Sequence, residues 1–492
     1  MRNDRKFLAA VLVALLSAGV GAWLLAGAGG HRQVTAGGVP LAEVHPSAAA
    51  AGARRPGVVV AHGFAGSARL MAQFGDSLAA RGYVVVLLDF AGHGANTRPL
   101  PDSAAGTDAS TAALQHDLEV AVTHLRGLPD VDPARIALVG HSMGASAVTR
   151  YAAGHPEITA TVAISLPGSP AELPGRLLAL VGQFEFPGFR AEAARATEDG
   201  GPGRSMVIVP GVEHIGILYA PRTHRETADF LDASFGRAAG GRAMPSPLRR
   251  LGGAGALLLG LLVGLYPVAR LLFGGPWRAG PWPAVPPART VGAAAVALGA
   301  AAVVAAWLPT NRLPLAIGGY LAGFTAAGGA ALLAYHRRQS GPPAAPASRP
   351  GSRRLAFGAP ILVGYAAVTI AVPLHLGLTY VVPVGNRWWL LPIVWGGFAL
   401  LVYAGDRVAG GNVLGLLTVS AVAVVALTGA AVTGLTFGFV LLIVPLLAVL
   451  LLWQAAWAVV LSGFAVPPWL TAVVGSLIVA WPISAALPLS AP

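Results

Sequence analysis

Hydrophobic positions fall into three regimes along this chain. An apolar run broken only by Ser17 covers Phe7 to about Gly27; residues 30–241 alternate short apolar runs with polar, glycine-containing stretches; from Leu251 onward apolar blocks follow one another almost without pause. About 20 apolar residues suffice to cross about 30 Å of hydrocarbon as a helix. The first regime therefore predicts one spanning helix. The third predicts about eight, near residues 251–273, 290–308, 313–335, 355–374, 388–404, 413–433, 436–452 and 466–486. In the middle regime the runs 58–61, 84–89, 135–139, 159–166, 176–181 and 205–210 read as strands, the first three of them as strands buried on both faces. Helical patterns at 70–81, 110–125 and 145–153 separate the early ones, and strand, helix, strand at this spacing makes a parallel sheet with crossover helices. The expected organisation is an N-terminal membrane segment (1–29), an α/β domain (30–236), a linker rich in Gly and Pro (237–250) and an all-α transmembrane helix bundle (251–492).

Composition strengthens this division. Of 492 residues, 55% are hydrophobic and only 11% charged, too few charges to coat a soluble protein of this length. The net charge of +12 sits largely beside the hydrophobic runs, with no basic patch interleaved with aromatic residues, so it reads as an orientation signal and argues against nucleic-acid binding. Arg2, Arg5 and Lys6 precede the first run, and Arg337, Arg338, Arg349, Arg353 and Arg354 fall in the loop 336–354. The positive-inside rule places both on the cytoplasmic side, leaving the α/β domain extracytoplasmic on a multi-pass plasma-membrane protein. Ala26-Gly27-Ala28 fits a signal-peptide cleavage pattern, although an uncleaved anchor is the preferred reading. Without cysteine there are neither disulfides nor thiolate metal sites. Ion-coupled transport usually leaves carboxylates or histidine chains inside spans; after Arg249 the one acidic residue is Asp406, beside Arg407, and His375 is the candidate relay.

The candidate chemistry lies in the middle regime. The strand at 135–139 runs into Gly140-His141-Ser142-Met143-Gly144, a G-x-S-x-G with a helical pattern behind it. Such a strand-to-helix elbow presents its serine at the end of the sheet, and its glycines are steric necessities because side chains there would meet neighbouring backbone. Later strands end in Gly182-Gln183-Phe184-Glu185 and Gly211-Val212-Glu213-His214, giving the chain order Ser, acid, His that this elbow requires. Glu198, Asp199 and Glu213 are alternative acids. His62, His93 and His141 read as structural histidines, Asp89 as a turn-former, and Asp76 and Asp117 as exposed helix residues.

These motifs, with His62-Gly63 after the first strand, Asp89 to Gly94 after the second and Val131-Asp132-Pro133 before the third, resemble the α/β-hydrolase superfamily, in its dienelactone-hydrolase-like and serine-aminopeptidase-like branches. The resemblance covers residues 58–235. It implies Ser142 as nucleophile, His214 as general base and then acid, Glu185 as the carboxylate orienting the imidazole, and the N–H groups of Phe64 and Met143 as oxyanion hole. It implies no metal and no organic cofactor. Only a brief loop separates the strands ending at Leu166 and starting at Arg176, too short for a cap domain. A lidless site against a bilayer suits a small-molecule or lipid acyl substrate: an ester, thioester or amide. An acyltransferase with the same triad, a non-catalytic sensor and a transporter appendage are the alternatives.

Overall fold

A computed structural model describes residues 2–26, 30–47, 54–102, 106–198, 203–238, 243–278, 288–339 and 350–491. Eight strands form one sheet: β1 (Arg32–Ala36), β2 (Val39–Val44), β3 (Arg55–Ala61), β4 (Val84–Leu88), β5 (Val131–His141), β6 (Ala160–Ile164), β7 (Leu177–Gly182) and β8 (Arg204–Val209). Their order is β1-β2-β4-β3-β5-β6-β7-β8; β1, β2 and β4 pair antiparallel and every other pairing is parallel. The β1–β2 hairpin went unread in the sequence, although its turn, Gly37-Gly38 with φ of 52° and 79°, is the dipeptide that a two-residue hairpin turn demands.

Helices α2 (Ala72–Ala80), α3 (Asp108–Arg126), α4 (Met143–Gly154), α5 (Pro187–Glu198) and α6 (Pro221–Ser234) cover the sheet. The inner strands β3, β4, β6 and β7 are buried on both faces because alternate side chains serve different cores, whereas the edge strands β1 and β8 stay partly exposed. Val58 and Val60 of β3 join Met71, Phe74, Leu78 and Leu231 on one side, and Val59 joins Leu118, Leu125 and Val148 on the other. Two acidic residues correct the sequence reading. Asp117 is fully buried, paired with Arg98 and accepting the Ala91 N–H at 2.8 Å. Asp76 pairs with Arg250 at 2.6 Å and His31 at 2.8 Å. Periodicity placed both on helices, but their partners come from other segments and have no local signature.

Among the described residues, nine further long helices follow or precede this domain: α1 (Arg2–Ala26), α7 (Leu248–Phe273), α8 (Ala288–Trp307), α9 (Gly318–Gln339), α10 (Ser352–Gly377), α11 (Arg387–Val408), α12 (Val413–Val432), α13 (Val440–Ser462) and α14 (Pro468–Ala486). Eight of them, all but α9, are long and apolar enough to cross a membrane, so this is an integral membrane protein. The block expected at 313–335 is α9, whose Gly- and Ala-rich sequence lowers its hydropathy but lets it pack closely: Gly329 lies against the backbone of Leu400 and Leu401 in α11.

One end of the bundle meets the α/β domain. Thr379 Oγ1 lies 2.9 Å from Ser67 Oγ, and the buried Arg387 guanidinium donates to the carbonyls of Gly92 at 2.6 Å and Leu487 at 3.1 Å. The segment after α14 is laced to the loop after β4 through Leu489 N–H to Gly92 O at 2.8 Å and Leu100 N–H to Leu489 O at 2.9 Å. The linker expected at 237–250 is described only in part: residues 239–242 lie outside the described residues, and α7 already begins at Leu248.

Candidate active site

The end of β5 carries the elbow. Ser142 has φ 52° and ψ −119°, a conformation that costs a non-glycine residue on the order of 1–3 kcal/mol. The surroundings hold it there: the Ser142 N–H donates to Ile164 O of β6 at 2.8 Å, and Ser142 O receives the Ser146 N–H at 3.1 Å as α4 begins. A Cβ on Gly140 would strike the Gly144 carbonyl, and one on Gly144 would strike the carbonyls of Ala61 and His62, so the glycines are required by contact. The Met143 N–H opens α4 and belongs to the first-turn donors that have no partner within a helix. Beside it runs the loop after β3: a Cβ on Gly63 would come within 3.0 Å of Ser142 Cβ, which puts the next residue, Phe64, next to the serine.

Glu185 and His214 follow β7 and β8, which pair in register as far as Gly182 and Val209. The Phe184 N–H donates to Val212 O at 3.0 Å and draws the two loops together. His214 Nδ1 then lies 2.9 Å from Glu185 Oε1, with both side chains almost wholly buried. Glu185 Oε1 also accepts the Phe186 N–H at 3.2 Å, and Oε2 accepts the Ser165 hydroxyl at 2.5 Å. Burial works against the charged carboxylate, but the bonds from His214, Ser165 and Phe186 outweigh it and hold the Glu185 pKa below the ordinary range. The alternative acids stand apart. Glu213 turns away to accept the N–H groups of Ile215 and Gly216, each at 2.7 Å; Glu198 ends α5, and Asp199 lies outside the described residues.

The link between elbow and histidine is His141. Its Nε2–H donates to the His214 carbonyl at 2.9 Å, and the two rings stand 4.8 Å apart. Burial, with His214 nearby, keeps His141 well below its ordinary pKa, so it is a neutral scaffold group. His62 plays a similar part: Nδ1–H donates to Gly63 O at 2.7 Å, Nε2 accepts the Phe90 N–H at 3.1 Å, and burial lowers its pKa to about 4. The His93 ring packs against those of His62 and Phe64. Asp89 bridges two loops by accepting the N–H groups of Ala68 at 2.7 Å and Ala95 at 2.9 Å; burial still pushes its carboxyl up to about 6.

Several neighbours escaped the sequence reading. Ser165, at positive φ of 51°, reaches Glu185 from the end of β6. Phe189 meets the His214 ring edge-on at 4.9 Å, and Phe439, from the bundle, stacks on Phe64 at 4.7 Å. No motif marks such residues; only the fold brings them here. As the short 165–176 interval implies, no cap domain interrupts β6 and β7. Among the described residues no group of three or more His, Asp or Glu side chains is placed to hold a metal ion.

Comparison with known proteins bears on the same segment. A family model described as serine aminopeptidase, S33, matches residues 52–183. An uncharacterized protein of Mycobacterium tuberculosis is 30% identical over 173 residues, covering 35% of this chain and 50% of that one. Cutinase 1 of Thermobifida cellulosilytica is 31% identical over 108 residues, covering 22% of this chain and 38% of the cutinase. The chain thus spans half or less of the length of these curated relatives. Among solved structures, Est1E from Butyrivibrio proteoclasticus covers 42% of this chain and 100% of its own, at 15% identity and TM-score 0.34. A serine hydrolase without a lid from Xanthomonas campestris covers 44% and 98%, at 18% identity and TM-score 0.34. With its sheet order, its elbow and the match to the serine aminopeptidase, S33 family inside it, the α/β portion of this chain has an α/β-hydrolase fold and resembles the serine hydrolases, here joined to a multi-helix membrane region.

Proposed function

We propose that this chain is a membrane-anchored serine hydrolase that cleaves an ester, thioester or amide through an acyl-enzyme on Ser142. The observation that supports the reading is a strained elbow serine at the end of β5 and a buried His214–Glu185 pair after β7 and β8, tied to the elbow by the bond from His141 Nε2–H to the His214 carbonyl at 2.9 Å. In this reading His214 Nε2 takes the Ser142 proton while Oγ bonds to the substrate carbonyl carbon. The resulting oxyanion rests on the N–H groups of Phe64 and Met143, each such donor typically worth about 3 kcal/mol of transition-state stabilisation. The bond to the leaving group breaks, and that group departs with the proton from His214. Water then repeats the sequence: His214 takes its proton, the acyl–oxygen bond to Ser142 breaks, and the serine regains the proton. Glu185 keeps Nδ1 protonated and offsets the imidazolium charge.

In the same reading the hydrolase domain is extracytoplasmic and α1 is a retained anchor. The bundle end bearing Thr379, Arg387 and Leu489 touches the domain, whereas the arginines at 337, 338, 353, 354 and 407 mark the opposite end, as the positive-inside rule requires. Helix α1 packs along α7 at Gly21, Gly253 and Gly260, and Arg249 donates to Leu24 O at 2.9 Å, contacts that a cleaved leader would forfeit.

The test is labelling of the membrane-embedded chain with a fluorophosphonate. Wild type should label, and Ser142→Ala and His214→Ala should not. A well-folded wild type that stays unlabelled overturns the proposal and leaves the non-catalytic sensor in its place.

A further inference from the structure

The bundle supplies what the domain lacks. At the hydrolase end of α12 and α13, the connecting loop and the first turn of α13 lean over the active site, placing Phe439 on Phe64 at 4.7 Å with an interplanar angle of 15°. Across from them stand Phe186 and Phe189, whose rings lie 6.3 and 4.9 Å from that of His214. Between the two walls runs a cleft of 340 Å³ lined by Phe186, Phe189, Phe437, Phe439, Leu441 and Leu442. One flank packs on the residue proposed as oxyanion donor and the other on the proposed base.

We propose that this cleft holds the acyl chain of a lipid ester, which enters sideways from the bilayer. The inference rests on the reading of Ser142, His214 and Glu185 as an acyl-transfer site and adds the substrate class. Three observations carry it. Every side chain lining the cleft is aromatic or aliphatic, leaving nothing to recognise the amino group of a peptide or the hydroxyls of a sugar, which would lose water there without replacement. Its volume lies within the range of about 300–1,000 Å³ usual for sites that enclose a small ligand. Exposed apolar side chains flank it: Phe184 and Phe186 on the domain are 66% and 45% exposed, and beyond Leu442 the helix α13, long and apolar enough to span, exposes Leu446, Val449 and Leu452. Contiguous apolar surface of this kind marks a membrane or ligand contact. The function of a lid, closing the site with apolar side chains, thus falls to a segment nearly 300 residues after the nucleophile.

The experiment uses full-length protein in detergent and p-nitrophenyl esters from acetate to decanoate. For wild type kcat/KM should rise at least about tenfold along the series, since a hydrophobic pocket typically discriminates by about ten- to two-hundred-fold. Leu442→Trp, which fills the cleft, should collapse the long-to-short ratio toward one, and Val449→Trp, on the exposed face of α13, should keep it. Should Leu442→Trp not fold, decanoate itself is the second probe: it should slow fluorophosphonate labelling of wild type, and acetate should not. A ratio independent of chain length in a protein that labels at Ser142 and cleaves the acetate ester overturns the acyl cleft while the hydrolase reading stands; absence of labelling overturns both. For lateral entry, a fluorogenic lipid ester should be cleaved faster in the same vesicle as the protein than in separate vesicles, and equal rates would overturn it.

Discussion

Replacing Glu185 with Gln tests the proposed triad with the smallest change of shape. Glu185 Oε1 faces two donors, His214 Nδ1–H and the Phe186 N–H, while Oε2 faces the Ser165 hydroxyl. A glutamine can keep its carbonyl oxygen at the first position and turn its NH2 to Ser165 Oγ, which accepts as readily as it donates. The imidazole then keeps its proton on Nδ1, and the loss is confined to the negative charge beside the imidazolium that forms when Ser142 is deprotonated. Two unit charges about 4 Å apart at an effective dielectric of about 20 interact by roughly 4 kcal/mol. Allowing about half of that to relaxation, the expected slowing is about thirtyfold to a thousandfold at about 1.4 kcal/mol per decade. Glu185→Ala removes orientation as well, and should approach the loss of about 10⁴ seen when a catalytic histidine is left in the wrong tautomer. The assay is the second-order rate of fluorophosphonate labelling at neutral pH, with Ser142→Ala as blank. Labelling of Glu185→Gln within about threefold of wild type would refute a role for the charge, and equal losses in Gln and Ala would refute the tautomer argument. Because the wild-type carboxyl titrates below the ordinary carboxylate range, the labelling rate should show no Glu185 titration above that range.

Two further outcomes follow from the geometry. Arg250→Met leaves Asp76 buried beside His31 alone, and breaking a buried pair costs about 3–5 kcal/mol, so the thermal midpoint of the full chain in detergent should fall by several degrees; an unchanged midpoint would remove the pair from the stability of the domain–bundle junction. Burial opposes the Asp76 charge, but the bonds from His31 and Arg250 overcome it and depress its folded pKa, so this stabilisation is present above the unfolded value of about 3.9 and lost as pH falls through the folded one. The wild-type midpoint should therefore drop on acidification in that window, and Arg250→Met should drop less. For topology, a protease site placed at 236–243 should be cut by protease outside intact cells and one at 341–348 should be protected; the reverse pattern would invert the orientation.

What the sequence determined by itself was whatever depends on near neighbours in the chain. The apolar runs of β3, β4 and β7 announced strands because burial on both faces leaves few polar positions, and the elbow announced itself because only Gly clears the backbone at positions 140 and 144. Near-continuous apolar blocks marked the spanning helices for the same reason, while α9 read less clearly because its Gly and Ala serve helix contact more than hydrocarbon. Partners far apart in the chain were decided by the tertiary structure alone. Asp76 and Asp117 looked like exposed helix residues until Arg250, His31 and Arg98 arrived from other segments to make their burial affordable in charge terms. The spacing between β6 and β7 left no room for an inserted cap, yet it could not show that the segment carrying Phe437 and Phe439 comes to rest beside Phe64, Phe186 and Phe189. A hydrophobic loop between two spanning helices carries the same local pattern whether it faces lipid, water or an active site. Only packing of the bundle against the domain, through contacts such as Arg387 with Gly92 and Leu487, distinguishes the three.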